Sequence, residues 1–312
     1  MIQPLALSVI NEVRKVIIGK DTIICKVLMA ILSQGHILLE DNPGMGKTTL
    51  ALALAKAMGL KFNRVQFTPE TMPADVMGFS MYDQTTGEFT YRPGAVLCNL
   101  FLADEINRTS AKTQSALLEA MEEGQVTVDG VSHPLPHPYT VIATQNPFGS
   151  AGTQPLPESQ LDRFMMRLSI GYPELSQEIK ILKQTEGGRP IDLVEPVCTA
   201  QDLIKMQEEV AEVHVSDELY EYVANLCTAT REEPMLRIGA SPRAGGALIR
   251  ACRASAWMSG RDYMIPNDIH LLFLNVMEHR MIPSPQATVS GSDLSSVLSG
   301  ILRSVPSPKL VK

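Results

Sequence analysis

The chain has 312 residues, 45% hydrophobic and 20% charged, a composition that fits a soluble globular protein of one large domain or two modest ones. Its net charge of −7 argues against nucleic acid as the main partner, because that binding needs a basic face. Cys25, Cys98, Cys198, Cys227 and Cys252 are too scattered for a zinc site or a disulfide framework, no apolar run reaches membrane-spanning length, and the start lacks the unbroken apolar core of a signal peptide, so the expected location is cytoplasmic.

The first twenty residues alternate apolar and charged positions at helical spacing. His36 to Glu40 is a short apolar run, expected as a buried strand. A glycine-rich turn follows, then Lys47 to Met58, whose Ala and Leu content predicts a helix. Further strands are expected at Arg64 to Thr68, Asn99 to Asp104, Thr140 to Thr144 and Phe164 to Ile170. A helix is expected from Lys112 to Glu123, capped by Ser110. Alternating strands and helices with near-continuous apolar strands predict an α/β core, a parallel sheet with helices on both faces.

Two insertions break this pattern. Phe79 to Arg92 reads as a hairpin with a long polar tip, and residues 125–134 as a second, whose Asp129-Gly130 suits a primed turn. His133 and His137 lie among Pro134, Pro136 and Pro138, so they are expected in a loop and not as a helical metal pair. Beyond about residue 187 strand signals fade. Thr199 to Val213, Ser216 to Thr230, Ser241 to Met258 and Pro266 to Met281 read as helices, the third opening on a cap followed by proline. Leu294, Val297, Leu298, Ile301 and Leu302 share one face of a last helix, ended by Pro306. The expected division is 1–187, an α/β core carrying both hairpins, and 188–312, a small all-α domain.

Asp41-Asn42-Pro43-Gly44-Met45-Gly46-Lys47-Thr48 lies between the first strand and its helix, the context a phosphate loop needs. Asn42 to Thr49 is the expected nucleotide-binding stretch, with Lys47 on the β- and γ-phosphates and the Thr48 hydroxyl on magnesium. Asp41 stands where the general pattern has glycine. The strand ending in Asp104-Glu105 supplies two carboxylates where ligands bind an open parallel sheet. Asp104 is expected to hold magnesium through water, and Glu105 to orient and deprotonate the attacking water. Asn146, at the next strand end, can sense the γ-phosphate or simply shape the turn before Pro147. The expected cofactors are ATP and Mg2+.

A phosphate loop, a terminal Asp-Glu, an Asn-bearing strand and then a helical domain resemble the AAA+ class of P-loop NTPases. RVQFTPETMPADVMG, YDQTTGEF, RPGAV, LADEINR, KTQSALLEAMEE, QVTVDG, ATQNP and LPESQLDRF, with GASPRA from Gly239 to Ala244, look like the MoxR family. The resemblance implies a lid formed by the C-terminal helices and carrying Arg243 as sensor 2. It implies Arg163 as an arginine finger on a neighbouring subunit's γ-phosphate; Arg108, close to Glu105 in sequence, is the rival. Ile18 and Gly19 would contact the adenine. A ring is implied, expected as a hexamer, from which both hairpins project as family inserts. The implied role is chaperone-like remodelling, maturation or cofactor and metal insertion of a partner protein, a von Willebrand factor A domain protein being the candidate. The competing readings are a DNA motor, a metal-chelatase motor subunit and a nucleotide-gated scaffold without turnover.

Overall fold

The structure is a computed structural model that describes residues 2–85, 87–146, 156–185 and 188–308. Helices α1 (Pro4–Arg14) and α2 (Asp21–Leu32) lead into β1 (Ile37–Glu40), α3 (Lys47–Ala57) and β2 (Phe62–Gln66). A short α4 (Pro73–Met77) precedes the hairpin β3 (Gly78–Asp83) and β4 (Glu88–Pro93). Next come β5 (Leu100–Asp104), α5 (Ala111–Glu123), the hairpin β6 (Gln125–Val128) and β7 (Val131–Pro134), and β8 (Thr140–Gln145). After α6 (Glu158–Leu161), β9 (Met166–Leu168) and α7 (Leu175–Thr185) the chain is mainly helical: α8 (Ala200–Ala211), α9 (Asp217–Glu232), α10 (Pro242–Met258), α11 (Pro266–Met277), α12 (Pro285–Ser290) and α13 (Leu294–Ser304). A small antiparallel pair, β10 (Leu236–Ile238) and β11 (Ile282–Pro283), joins α9 to the end of α11.

The main sheet is parallel, in the order β2-β5-β8-β1-β9. Strand alternation divides its side chains between two clusters. Leu100 and Leu102 join Leu39 and Ile142 under α1, α2 and α3. Phe101 and Ala103 join Leu38, Val141 and Ala143 under α4 and α5. Both faces are therefore covered, as the near-continuous apolar strands predict.

The first cluster does not stop at the sheet. It continues through Leu203, Leu226, Leu248 and Phe273 of α8 to α11. The backbone N–H of Gln3 also donates to the Met258 carbonyl, 3.0 Å, tying the N-terminus to α10. The change from strands to helices thus lies near residue 175, but no boundary in packing accompanies it.

Several elements follow their local signals. The Ser110 hydroxyl accepts from Thr113 N–H, 3.3 Å, and the Ser241 hydroxyl from Ala244 N–H, 3.2 Å, each satisfying a first-turn donor. Others do not. The expected strand Phe164 to Ile170 shrinks to three residues, because Phe164 N–H turns back to Leu161 and Ile170 N–H goes to Asp41. The helix expected to reach Met281 ends at Met277, where a single 3-10 turn and the Arg280 guanidinium take over its last carbonyls. His133 lies on a strand, its ring stacked on Tyr91 at 3.7 Å, rather than in a loop. Among the described residues, no helix is long and apolar enough to cross a membrane.

Candidate active site

The C-terminal ends of β1, β5 and β8 are neighbours in the sheet, so Asp41, Glu105 and Asn146 emerge on one edge. Gly44 and Gly46 both take left-handed backbone, φ 85° and 83°, which turns the loop into α3 without a Cβ in the way. Pro43 and Gly44 are exposed, while Met45, Thr48 and Thr49 are half-buried at the helix start. Lys47 opens α3, and its ammonium donates to the Asp41 carbonyl. Burial pulls the Lys47 pKa below the usual lysine value, against the opposing pull of Asp41, Asp104, Glu105 and Glu40.

The unusual Asp41 has a clear structural role. Its buried carboxylate accepts from the Ser169 hydroxyl at 2.7 Å, Ile170 N–H at 2.7 Å and Gly171 N–H at 3.0 Å. It fastens the start of the loop to the segment that follows β9, so the loop geometry survives the loss of glycine.

Asp104 is held on both oxygens. Oδ1 accepts from the Thr144 hydroxyl at 2.6 Å, and Oδ2 accepts from Arg64 Nη2 at 2.7 Å. Thr48 Oγ1 lies 3.5 Å from that same Oδ2. A hydroxyl and a carboxylate this close are the hard oxygen donors that suit magnesium, with few protein ligands and the rest supplied by water and phosphate. Thr144 is buried beneath the pair and also accepts from Glu105 N–H, 2.9 Å, so it couples the two acids. Arg64 and Thr144 lie inside the segments RVQFTPETMPADVMG and ATQNP, but nothing in the sequence assigns them a role, because that role depends on the register of three strands.

Glu105 has φ 57° and ψ 49°, a left-handed conformation rare for a non-glycine residue. This swings its side chain away from the line of β5. Its Oε2 lies 2.7 Å from Arg108 Nη1 of the same chain. Asn146 follows β8 directly, and its carbonyl accepts from Asn107, 3.4 Å. Pro147 and residues 148–152 lie outside the described residues.

The segment of Ile18 and Gly19, expected beside the adenine, runs close to the loop. Gly19 has φ 71°, and a Cβ on it would overlap the Gln177 side chain of α7 at 2.2 Å. Ile18 is half-buried, and the adjacent Ile17 comes within 3.9 Å of the Cβ position of Gly46. Tyr172, missed in the sequence, closes the edge: its hydroxyl accepts from Asn42, 3.1 Å, while the residue as a whole is 69% exposed.

Two expected residues are elsewhere. Arg163 lies before β9 and Arg243 in the first turn of α10. Both reach Glu122 at the end of α5, at 3.1 and 2.6 Å, and the Arg243 guanidinium holds the Glu122 carboxyl below the usual carboxylate range. They line a cleft of about 160 Å³ with Gln34 and His36, which precede β1. Phosphate-loop residues follow β1, and a four-residue strand is about 10 Å long. Arg163 and Arg243 therefore lie together, at the opposite edge of the sheet from Lys47 in their own chain. The acids nearest Arg163 in sequence go to other partners, Asp162 to Arg280 and Glu158 to Arg237.

Known families and proteins match this arrangement. The model of the ATPase family associated with various cellular activities (AAA) matches residues 36–166, and that of the AAA lid domain matches residues 228–297. The chain is 46% identical over 307 residues to the uncharacterized protein YeaC of Bacillus subtilis, covering 98% of this chain and 96% of that one. It is 38% identical to the Chaperone MoxR1 of Mycobacterium tuberculosis, covering 96% of this chain and 82% of that one. A crystal structure of a candidate ATPase from Cytophaga hutchinsonii matches with a TM-score of 0.91 at 38% identity, covering 98% of this chain and 95% of that one. With this sheet order, loop and lid, and these relatives, the chain belongs to the MoxR family of AAA+ ATPases, which hydrolyse ATP.

Proposed function

We propose that this ATPase works as a magnesium-dependent ring, expected to be a hexamer, that remodels or matures a partner protein. The observation that carries the reading is the separation of Arg163 and Arg243 from Lys47. Arginines at the far edge of the sheet cannot reach their own triphosphate, so they serve the one held by a neighbour. Positive charge there stabilises the transferring phosphoryl group. Exposed Leu175 and Ile179 on α7 supply apolar surface for such packing.

Within one site, Lys47 and the loop N–H groups bind phosphate, and Glu105 takes the proton of the attacking water. Thr48 and Asp104 would hold Mg2+, which neutralises phosphate charge. Glu105 must first leave Arg108, because the oxygen that would take the proton is engaged by the guanidinium. The relative named Chaperone MoxR1 supports a protein client, and a von Willebrand factor A domain protein is the candidate. The hairpin of β3 and β4 suits client contact: Tyr82 and Phe89 pair at 5.3 Å and are 52% and 74% exposed.

The test is ATP turnover per chain against protein concentration. Turnover should rise with concentration. Glu105→Gln should lower it by about 100-fold or more with ATP binding intact, and Arg163→Ala should abolish the concentration-dependent part. Turnover independent of concentration, with Arg163→Ala silent, would make the ring reading wrong.

A further inference from the structure

Arg64 lies on β2, the edge strand beside β5, and the register pairs Gln66 with Asp104. This places Arg64 two residues back on the same face. Its Nη2 and Nε lie 2.7 and 3.1 Å from one oxygen, Asp104 Oδ2, and Nη2 also donates to Gln66 Oε1 at 2.9 Å. Oδ1 is occupied by the Thr144 hydroxyl. Both guanidinium contacts fall on one oxygen, so Arg64 does not form a fork across the two carboxylate oxygens, the geometry that makes such pairs strong. The oxygen it holds is the one facing Thr48, 3.5 Å away. Arg64 is 44% exposed along its side chain and Asp104 only 10%, so the cation can move and the carboxylate cannot.

We propose that Arg64 is a positioning residue that sets the divalent-cation requirement of the site. It presents the Asp104 carboxylate to Thr48, and it places a permanent positive charge on the oxygen that a divalent cation must share. The inference rests on the reading of Thr48 and Asp104 as the magnesium-holding residues. Two effects of Arg64 oppose each other. Orientation by a partly exposed guanidinium is a weak effect. Repulsion of a doubly charged ion at short range is a stronger one. Repulsion should dominate, so removing the charge should favour the cation.

The experiment titrates Mg2+, and separately Mn2+, into protein holding a fluorescent ADP analogue, and reads nucleotide fluorescence without turnover. Arg64→Gln should lower the cation concentration at half-saturation by about tenfold. Arg64→Lys, which keeps the charge, should stay near wild type. Analogue affinity in EDTA should be equal for all three proteins, which also reports that each is folded. An unchanged or raised cation requirement in Arg64→Gln overturns the proposal. Asp104→Asn is the control on the underlying reading. If it leaves the cation dependence untouched, the magnesium assignment fails and the role of Arg64 falls with it; if it weakens that dependence while Arg64→Gln does not lower the requirement, the role of Arg64 alone fails.

Discussion

Asp41 fixes what the phosphate loop of this chain can tolerate. Restoring the glycine of the general pattern looks conservative, yet it would strip three hydrogen bonds from the segment after β9, one from the buried Ile170 N–H. Hydrogen bonds to a charged group contribute about 1.5–3 kcal/mol, and an orphaned buried donor adds its own cost. Asp41→Gly should therefore lose about 2–4 kcal/mol in urea unfolding and bind ATP more weakly. A variant as stable as wild type would show the three bonds to be incidental. Tyr172→Ala, by contrast, removes an exposed ring and should leave stability unchanged. If that ring packs on the nucleotide, affinity should fall about 2- to 10-fold by equilibrium titration. The sequence displays Asp41 as an exception but hides its reason, because its partners are 128–130 residues away. Lys47, Thr48, Asp104 and Glu105 are legible because each belongs to a contiguous motif at a strand end. Thr144, Arg64 and Tyr172 become visible only once strands are aligned.

The hairpin of β3 and β4 has an unusually tight neck. A Cβ on Gly94 would stand 2.3 Å from both the Gly78 nitrogen and the Val76 carbonyl oxygen, while Gly78 itself has φ 93°. Backbone is a neighbour that cannot yield, so Gly94→Ala should destabilise the hairpin and α4 by more than about 1 kcal/mol. Limited proteolysis should cut near Gly78 and Gly94 in the variant before it cuts the sheet; identical cleavage patterns would mean that the neck can relax. Above the neck, the Tyr91 ring on His133 couples this hairpin to that of β6 and β7. Both hairpins were legible because turn chemistry and alternation are local signals. Their coupling was not, since it joins separate insertions. The same distinction runs through the fold. Core strands are readable from apolar runs, whereas α2 and α7 are not. Helix α2 is apolar around much of its surface, with six consecutive positions from Val27 to Leu32 buried, and so carries no clear stripe. Helix α7 leaves Leu175 and Ile179 exposed, so its apolar positions do not report a core.

At the scale of the whole molecule, two histidines brace the fold, His36 within the α/β core and His279 between core and lid. His36 accepts from Val141 N–H at 3.0 Å through Nδ1, leaving Nε2–H to donate to the Met121 carbonyl at 3.1 Å. It thereby binds β8 to the end of α5. Buried His279 reaches the Phe164 carbonyl at 2.8 Å and binds the turn after α11 to the approach of β9. Both rings are held neutral. Desolvation lowers the pKa of His36 to about 4, despite the Met121 bond, and lowers that of His279 well below the usual value, with the Arg280 charge adding to burial. An unfolded histidine titrates near 6.5, so between 6.5 and 4 the unfolded chain binds more protons than the folded one. This contribution is complete above about pH 6.5 and is lost as pH falls toward 4. His36 alone should cost about 2 kcal/mol by pH 5, an order-of-magnitude figure, and His279 adds in the same direction. Most carboxylates titrate lower, so the interval from pH 6.5 to 5 isolates the histidines. Urea unfolding at pH 7.5 and pH 5 should give a stability loss of at least about 2 kcal/mol in wild type. His36→Gln should be less stable at pH 7.5 yet lose less on acidification. Equal losses in the two proteins would mean that His36 takes up its proton at the same pH in the folded and the unfolded chain, and so contributes nothing to the acid sensitivity.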